Sequence, residues 1–284
     1  MKTALIILNY NDYDTTASYL NEVKGYAAYD GIVVVDNAST DGSYTRLIDL
    51  IYDWDLSGHI VVVKMPSNGG YAKGNNYGAQ VAIEKFAPDV LFFSNPDVHY
   101  DEPIVKQLVE DLENNSQAAI VAALTKTGRS VWALPGFWGT MRQILLISFN
   151  LHKRALRKKI EKDNCLTEVG VVEGSFFAVR KECFDEVNGF DERTFLYLEE
   201  NILSAKMKTH GYVVMADPTI NYIHEHSKSI KKAYKNKVRA FKLFKPSFLT
   251  YLEYVGMNPV KRIIFEIVFA IGYVERAIYS IVVR

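Results

Sequence analysis

Val90-Leu91-Phe92-Phe93-Ser94-Asn95-Pro96-Asp97-Val98 is the stretch from which the rest of the chain is read. Four consecutive apolar residues describe a strand buried on both faces, the pattern of a parallel sheet covered by helices. The strand stops on a small residue, a proline and one carboxylate. In open α/β sheets ligands collect at the carboxyl ends of the strands. An Asp held there beside a rigid Pro is placed to hold a hard cation that bridges the phosphates of a nucleotide. Asn-Pro-Asp is equally good turn chemistry, so the reading rests on what surrounds it.

Working outward, the first half of the chain alternates. Ala4–Leu8, Ile32–Val35 and Ile60–Val63 read as further strands, with helix-length segments at about Thr15–Lys24, Gly42–Trp54 and Tyr71–Phe86 between them. A helix near Glu102–Glu113 and a strand near Ala118–Ala123 continue the pattern. Such alternation predicts an α/β fold: a mostly parallel, Rossmann-like central sheet with helices on both faces. Each strand runs into polar residues: Asn9-Tyr10-Asn11-Asp12, Asp36-Asn37-Ala38-Ser39-Thr40-Asp41-Gly42, Ser67-Asn68-Gly69-Gly70 and Asn95-Pro96-Asp97. In a parallel sheet all of these fall on one edge. Any one of them is explained by helix capping; together they describe a site. The Gly-rich segment Asn68–Asn75 has neither a P-loop nor a GxGxxG pattern. Its glycines still let a ligand approach a helix N-terminus that favours an anion.

The second half changes character. Thr125–Met141, with Trp132, Pro135, Phe137 and Trp138, reads as a loop or lid, and Gln143–Lys159 as a helix ending in Lys153-Arg154-Ala155-Leu156-Arg157-Lys158-Lys159. Val169–Val172 leads into Glu173-Gly174-Ser175-Phe176-Phe177, a strand returning to the sheet with a bend at Glu173-Gly174. A short helix at about Lys181–Val187 precedes Gly189-Phe190-Asp191-Glu192. Tyr197-Leu198-Glu199-Glu200 opens a helix running to Gly211. Adjacent helical residues lie about 100° apart, so Glu199 and Glu200 cannot both face one ligand. The positive end of the helix dipole favours their ionised form, which a general base requires. A strand near Tyr212–Met215, with a turn at Asp217-Pro218, precedes His224-Glu225-His226, a pair of histidines suited to a metal or a diphosphate.

Composition bounds the alternatives. The 284 residues carry 33 Lys+Arg and 33 Asp+Glu, so net charge selects no partner. Two cysteines, Cys165 and Cys183, make neither a disulfide framework nor a metal pair and suit a reducing, cytoplasmic setting. The first apolar run is too short for a signal peptide. Charge distribution is informative where net charge is not. Ser227–Lys245 holds eight Lys/Arg and no Asp or Glu. Pro259–Arg284 then reads as an amphipathic helix, with Arg262, Glu266, Tyr273, Arg276 and Ser280 on one face and mostly Ile and Val opposite. Three roles stay open for residues 227–284: peripheral contact with an anionic membrane surface, docking on the preceding domain, or a homo-oligomer contact. No nucleic-acid module accompanies the basic run, so no nucleic acid is expected as partner.

Several of these motifs together, in order and spacing over about Thr3–Ser229, resemble the family-two glycosyltransferases of the GT-A fold. The likeness is to bacterial rhamnosyl- and galactosyl-type enzymes of surface polysaccharide synthesis. The carriers are Ile7-Leu8-Asn9-Tyr10-Asn11, Val33–Gly42, Asn68-Gly69-Gly70 with Gly74-Asn75, Asn95-Pro96-Asp97, Gly189–Glu192 and Tyr197–Glu200. The resemblance implies a catalytic domain over residues 1–226, its nucleotide-binding half about 1–124 and acceptor half about 125–226, and a helical region over 227–284. It implies an inverting sugar transfer from a UDP-hexose or dTDP-rhamnose to a glycan or lipid-linked glycan acceptor. Asn9, Asp36, Asn68, Gly70, Asn75 and Asn95 would line the nucleotide-sugar pocket, and Asp97, with His224 nearby, would hold Mn²⁺ or Mg²⁺. Glu200 would be the base, with Glu199 as the competing assignment, because this chain has Glu-Glu where the family usually has Glu-Asp. Glu173, Gly174 and Trp138 are candidates for the acceptor side. Asn95 in place of a first Asp, and Ile202 in place of a further Asp, keep a non-catalytic nucleotide-sugar-binding subunit as the alternative. Nucleotidyl transfer is disfavoured, since Leu8–Asp12 has no basic Gly-rich triphosphate loop.

Overall fold

The computed structural model describes residues 1–126, 130–145, 160–225 and 237–282. In chain order the strands are β1 (Thr3–Asn9), β2 (Gly31–Asp36), β3 (Ile60–Lys64), β4 (Val90–Ser94), β5 (Val98–His99) and β6 (Ala118–Thr125). They continue with β7 (Val131–Trp132), β8 (Thr167–Val169), β9 (Val171–Val172), β10 (Phe176–Arg180) and β11 (Val213–His224). The helices are α1 (Tyr13–Val23), α2 (Ser43–Asp53), α3 (Gly70–Phe86), α4 (Glu102–Asn114) and α5 (Phe137–Ile144), then α6 (Lys181–Glu186), α7 (Glu199–Thr209), α8 (Lys237–Tyr254) and α9 (Pro259–Val282).

The main sheet has the order β3-β2-β1-β4-β10-β6-β11-β5, with β8 on β11. β3, β2, β1 and β4 are mutually parallel, and β10 inserts antiparallel between β4 and β6. The continuous apolar runs arise because both faces are covered. Ile6, Val33, Val35, Leu91 and Phe93 enter one core, under α3 and α7. Leu5, Ile7, Ile32, Val34 and Phe92 enter the other, under α1, α2 and α4. The register Asn9↔Asp36↔Lys64 aligns the strand ends and their polar extensions on one edge, as expected from the sequence.

Three elements differ from the sequence reading. Trp132 is buried in the small antiparallel pair β7–β9 rather than lying in a lid, and α5 starts at Phe137. The expected return strand is broken: Val169 ends β8 on β11, β9 pairs with β7, and β10, beyond the Glu173–Ser175 bend, pairs with β4 and β6. The last strand does not end at Pro218. A register shift between Asp217 and Asn221 absorbs the residue that lacks an N–H, Asp217 Oδ1 accepts the Thr219 amide at 2.8 Å, and β11 continues to His224. Beyond Leu145, the helix expected over Gln143–Lys159 lies outside the described residues, as does His226.

The C-terminal helices dock on the domain that precedes them. Phe241, Phe248, Phe265 and Phe269 form a third apolar cluster with Phe137, Met141 and Ile144 of α5. Tyr251 packs with Ile202 and Ala205 of α7, and its hydroxyl donates to the Pro135 carbonyl at 2.6 Å. Among the described residues no helix is long and apolar enough to cross a membrane.

Candidate active site

Four strand ends and two returning segments converge on the sheet edge. Beneath the first loop, Asn9 and Asp36 are fully buried. Asn9 Nδ2 donates to Asp36 Oδ2 at 2.9 Å, and Asp36 Oδ1 accepts the Ser39 amide at 2.9 Å. The pair therefore holds the 36–42 loop from below. Asn11 and Thr40 extend that loop at the surface, the Thr40 amide donating to Asn11 Oδ1 at 2.8 Å. Asn37, not singled out from the sequence, ties the neighbouring loop: its Oδ1 accepts the Gly69 amide and its Nδ2 donates to the Gly70 carbonyl. Asn68 Oδ1 accepts the Gly70 amide at 3.0 Å. Asn75 is buried one turn into α3, where its amide donates to the Tyr71 carbonyl.

Gly70 has a positive φ of 79°, and a Cβ there would collide with the carbonyl of Phe195. That close approach lets the Tyr71 amide donate to Phe195 O at 2.9 Å. The segment so anchored passes through Tyr197 and Leu198, both at positive φ, and turns into α7 at Glu199 and Glu200. The two carboxylates then diverge. Glu199 is 3% exposed and faces inward. Burial, reinforced by the neighbouring Glu200 charge, pushes its pKa up to about 8 despite a hydrogen bond from Thr194. The dipole argument is thus overturned for Glu199, because loss of water outweighs a half-charge at a helix end. Glu200 stays half-buried on the other side, where a Cβ added at Gly174 would meet the Tyr71 hydroxyl at 3.6 Å and Glu200 Oε2 at 3.9 Å. Tyr71 donates to the Gly174 carbonyl at 2.7 Å.

The second cluster is built by strand pairing. β5 begins directly after Asp97 and pairs antiparallel with the end of β11, so that His224 faces Val98. The Glu225 amide donates to the Asp97 carbonyl at 3.0 Å. On the other side, Phe176 pairs with Ser94, and the Asn95 amide donates to the Ser175 carbonyl at 2.8 Å, which draws the Glu173 bend alongside. His224 then stands between two carboxylates: Nε2 is 3.4 Å from Asp97 Oδ1, and Nδ1 is 3.1 Å from Glu173 Oε1. Burial works against a charge on the imidazole, but the two carboxylates outweigh it and raise its pKa to about 9. Glu173 is therefore engaged with His224 rather than standing open to an acceptor. Trp138 is 63% exposed on α5, edge-on to Phe137.

Asp97 and His224 fit a hard cation, the imidazole giving up its proton when it binds one. One carboxylate and one imidazole are about what a Mg²⁺-type ion takes from protein when substrate phosphates and water complete its shell. Among the described residues no cluster of three or more His, Cys, Asp or Glu offers an all-protein cage. The Glu173–His224 pair has the form of a carboxylate that fixes a metal-ligating histidine's ring.

The family model for glycosyl transferase family 2 matches residues 4–187, more than half of the chain. The chain belongs to glycosyl transferase family 2. Among curated members, it is 25% identical over 231 residues to the O-antigen chain rhamnosyltransferase RfbN of Salmonella typhimurium, covering 80% of this chain and 68% of that protein. It is 24% identical over 199 residues to the low-salt glycan biosynthesis hexosyltransferase Agl10 of Haloferax volcanii, covering 69% of this chain but only 58% of that one. The fold matches the mannosyltransferase PcManGT of Pyrobaculum calidifontis, solved with GDP-Man and Mn²⁺, with a TM-score of 0.60 at 14% identity, over 99% of this chain and 87% of the other. The architecture is that of the GT-A family-2 enzymes, with the C-terminal helices added. The residues missed from the sequence are Asn37, Tyr71 and Thr194. Tyr71 and Asn37 sat inside quoted motifs, whereas Thr194 carried no signal of its own.

Proposed function

We propose that this chain transfers a sugar from a nucleotide-sugar donor to a hydroxyl of a glycan or lipid-linked glycan acceptor, with inversion, in cell-surface polysaccharide synthesis. The observation that carries the reading is the divergence of Glu199 and Glu200. One carboxyl is buried and held neutral, and the other borders the space beside Gly174 at the ligand-collecting edge of the sheet. Burial of one carboxyl leaves the other as the carboxylate placed to meet a ligand. A UDP-hexose or dTDP-rhamnose is the donor class, supported by the rhamnosyl- and hexosyltransferase relatives.

The acceptor hydroxyl lies beside Glu200, which takes its proton as the acceptor oxygen bonds to the anomeric carbon. The bond from that carbon to the diphosphate oxygen breaks on the opposite face, so one displacement inverts the centre and releases a nucleoside diphosphate. Asp97 and His224 would hold Mn²⁺ or Mg²⁺, which neutralises charge on the diphosphate when bound. Glu173 keeps the His224 ring oriented with Nε2 toward Asp97. The loops tied by Asn37, Asn68 and Gly70 shape the donor side, and the buried Asn9–Asp36 pair supports them.

The test is a thermal-shift screen of the purified chain with UDP, GDP, dTDP and their sugars, each with Mn²⁺, Mg²⁺ or EDTA, followed by transfer assays on the donors that bind. Metal-dependent stabilisation by one nucleotide class, and transfer abolished by Glu200→Gln, is the expected result. Binding without transfer or hydrolysis across a broad acceptor set overturns the catalytic reading in favour of a binding subunit.

A further inference from the structure

Beneath the Asn95-Pro96-Asp97 turn lies a chain of buried hydroxyls that no step of the proposed transfer uses. Tyr19 of α1, Tyr29 beyond it and Tyr100 after β5 are 1%, 2% and 7% exposed, and the buried Ser94 ends β4. The Tyr29 and Tyr100 oxygens are 2.8 Å apart, those of Tyr100 and Tyr19 2.7 Å, and those of Tyr19 and Ser94 2.7 Å. Ser94 Oγ is 3.1 Å from the Asn95 carbonyl oxygen. Each hydroxyl has one hydrogen to give and lone pairs to accept with. A carbonyl only accepts, so Ser94 gives its hydrogen to Asn95 and the other three follow in turn. Tyr29 donates to Tyr100, Tyr100 to Tyr19, and Tyr19 to Ser94. Burial pushes all three phenols well above their ordinary range, so each keeps its proton and stays a donor.

Phenylalanines would fill the same core without polar groups to satisfy. The rings pack as aromatics in any case: Tyr100 stacks on Phe176 at 4.1 Å, and Tyr29 meets Phe92 edge-on at 5.4 Å. What the hydroxyls add is direction. Hydrogen bonds in a one-way chain polarise one another, and this chain ends on a single atom, the carbonyl oxygen of the Asn95–Pro96 peptide. The Asn95 amide is held from the other side by the Ser175 carbonyl at 2.8 Å. Ser175 Oγ in turn lies 2.7 Å from the buried Tyr222 hydroxyl. With the Asn95 N–H and C=O both engaged, and φ of Pro96 set by its ring, little backbone freedom remains before Asp97.

We propose that Ser94 and Tyr19 are positioning residues for Asp97: the hydroxyl chain fixes the Asn95–Pro96 peptide and so sets where the carboxylate stands beside His224. The proposal rests on the reading of Asp97 as a metal ligand. The test is Mn²⁺ titration of the full chain with UDP, GDP or dTDP present, the free ion read by its electron paramagnetic resonance signal, beside melting curves of each variant. Ser94→Ala cuts the last link and is expected to weaken Mn²⁺ binding by about three- to tenfold, the contribution of one buried hydrogen bond. Tyr19→Phe is expected to weaken it in the same direction. The double variant is expected to be no weaker than Ser94→Ala, because both changes act through one link. Tyr100→Phe is the matched comparison. Like Tyr19→Phe it removes two hydrogen bonds and leaves one phenol without its acceptor, but one step further from the turn. It is expected to lower the melting temperature as much as Tyr19→Phe does, and Mn²⁺ affinity by less than about twofold. Parental Mn²⁺ affinity in Ser94→Ala, additive losses in the double variant, or equal losses in Tyr19→Phe and Tyr100→Phe overturn the proposal. If Tyr19→Phe does not fold, Ser94→Ala decides alone. Absence of Mn²⁺ binding by the parent with every nucleotide overturns the metal reading itself, and the proposal with it.

Discussion

Replacing Glu199 by Gln tests the burial of one of the two carboxylates of the α7 turn. Glu199 titrates near pH 8 in the folded protein against an ordinary value of 4.5. Below 4.5 it is protonated in both the folded and the unfolded state and contributes nothing pH-dependent. As pH rises the unfolded chain ionises first, so stability falls by about 1.4 kcal/mol per pH unit until the folded group ionises too. Integrated over that window the loss is of the order of 3–5 kcal/mol. A glutamine has the shape of the protonated acid and does not ionise. The variant and the parent should therefore melt at nearly the same temperature near about pH 5 and diverge toward about pH 8. At the upper end the variant should lead by roughly 2–4 °C for each kcal/mol gained. The assay is calorimetric melting of both proteins over that range. Titrations elsewhere in the chain cancel in the difference. A difference that stays flat with pH refutes the burial argument, and loss of transfer in Glu199→Gln refutes the assignment of Glu200 as the base.

Four further outcomes follow from the same geometry. Glu200→Gln should lower transfer by about 10²–10⁴-fold in kcat while nucleotide-induced stabilisation persists, as read by paired kinetics and thermal shift. Asp97→Asn should remove the metal-dependent part of that stabilisation and leave the EDTA baseline unchanged, measured by the same shift assay. Glu173→Gln should keep the fold but weaken metal affinity by about 10–100-fold, measured by titrating Mn²⁺ against turnover; an unchanged affinity refutes its role in orienting His224. Gly70→Ala places a Cβ against the Phe195 carbonyl at positive φ and should destabilise by about 2 kcal/mol or more, read by urea unfolding.

The parallel half of the sheet was legible because burial on both faces writes itself as unbroken runs such as Ile32–Val35 and Val90–Phe93. Two-residue strands were not. Val131-Trp132 and Val98-His99 gain their conformation from partners at positions 171–172 and 223–224, which no local pattern announces. Pro218 reads as a stop because its local chemistry is that of a turn, but the ladder resumes once the bulge has absorbed it. The polar edge of the sheet was visible as motifs, whereas the difference between Glu199 and Glu200 depends on which side of α7 meets the core. In α9 the helical wheel set Arg262, Glu266 and Arg276 opposite the aliphatic residues, with Glu275 interrupting the apolar side, yet the packed face is set by Phe265 and Phe269, which belong to neither group.

The bulge in β11 has a consequence for how this protein tolerates insertions. Side chains alternate from one face of a strand to the other, so the number of residues between Val213 and His224, counted through the irregularity at Asp217–Asn221, has a parity. Adding or deleting one residue there would turn the imidazole away from Asp97 and Glu173 and present Ile223 or Glu225 in its place. Changes of two would preserve its direction and alter only its reach. Insertions in surface loops carry no such odd-or-even rule, so the length of β11 decides whether His224 meets Asp97 and Glu173.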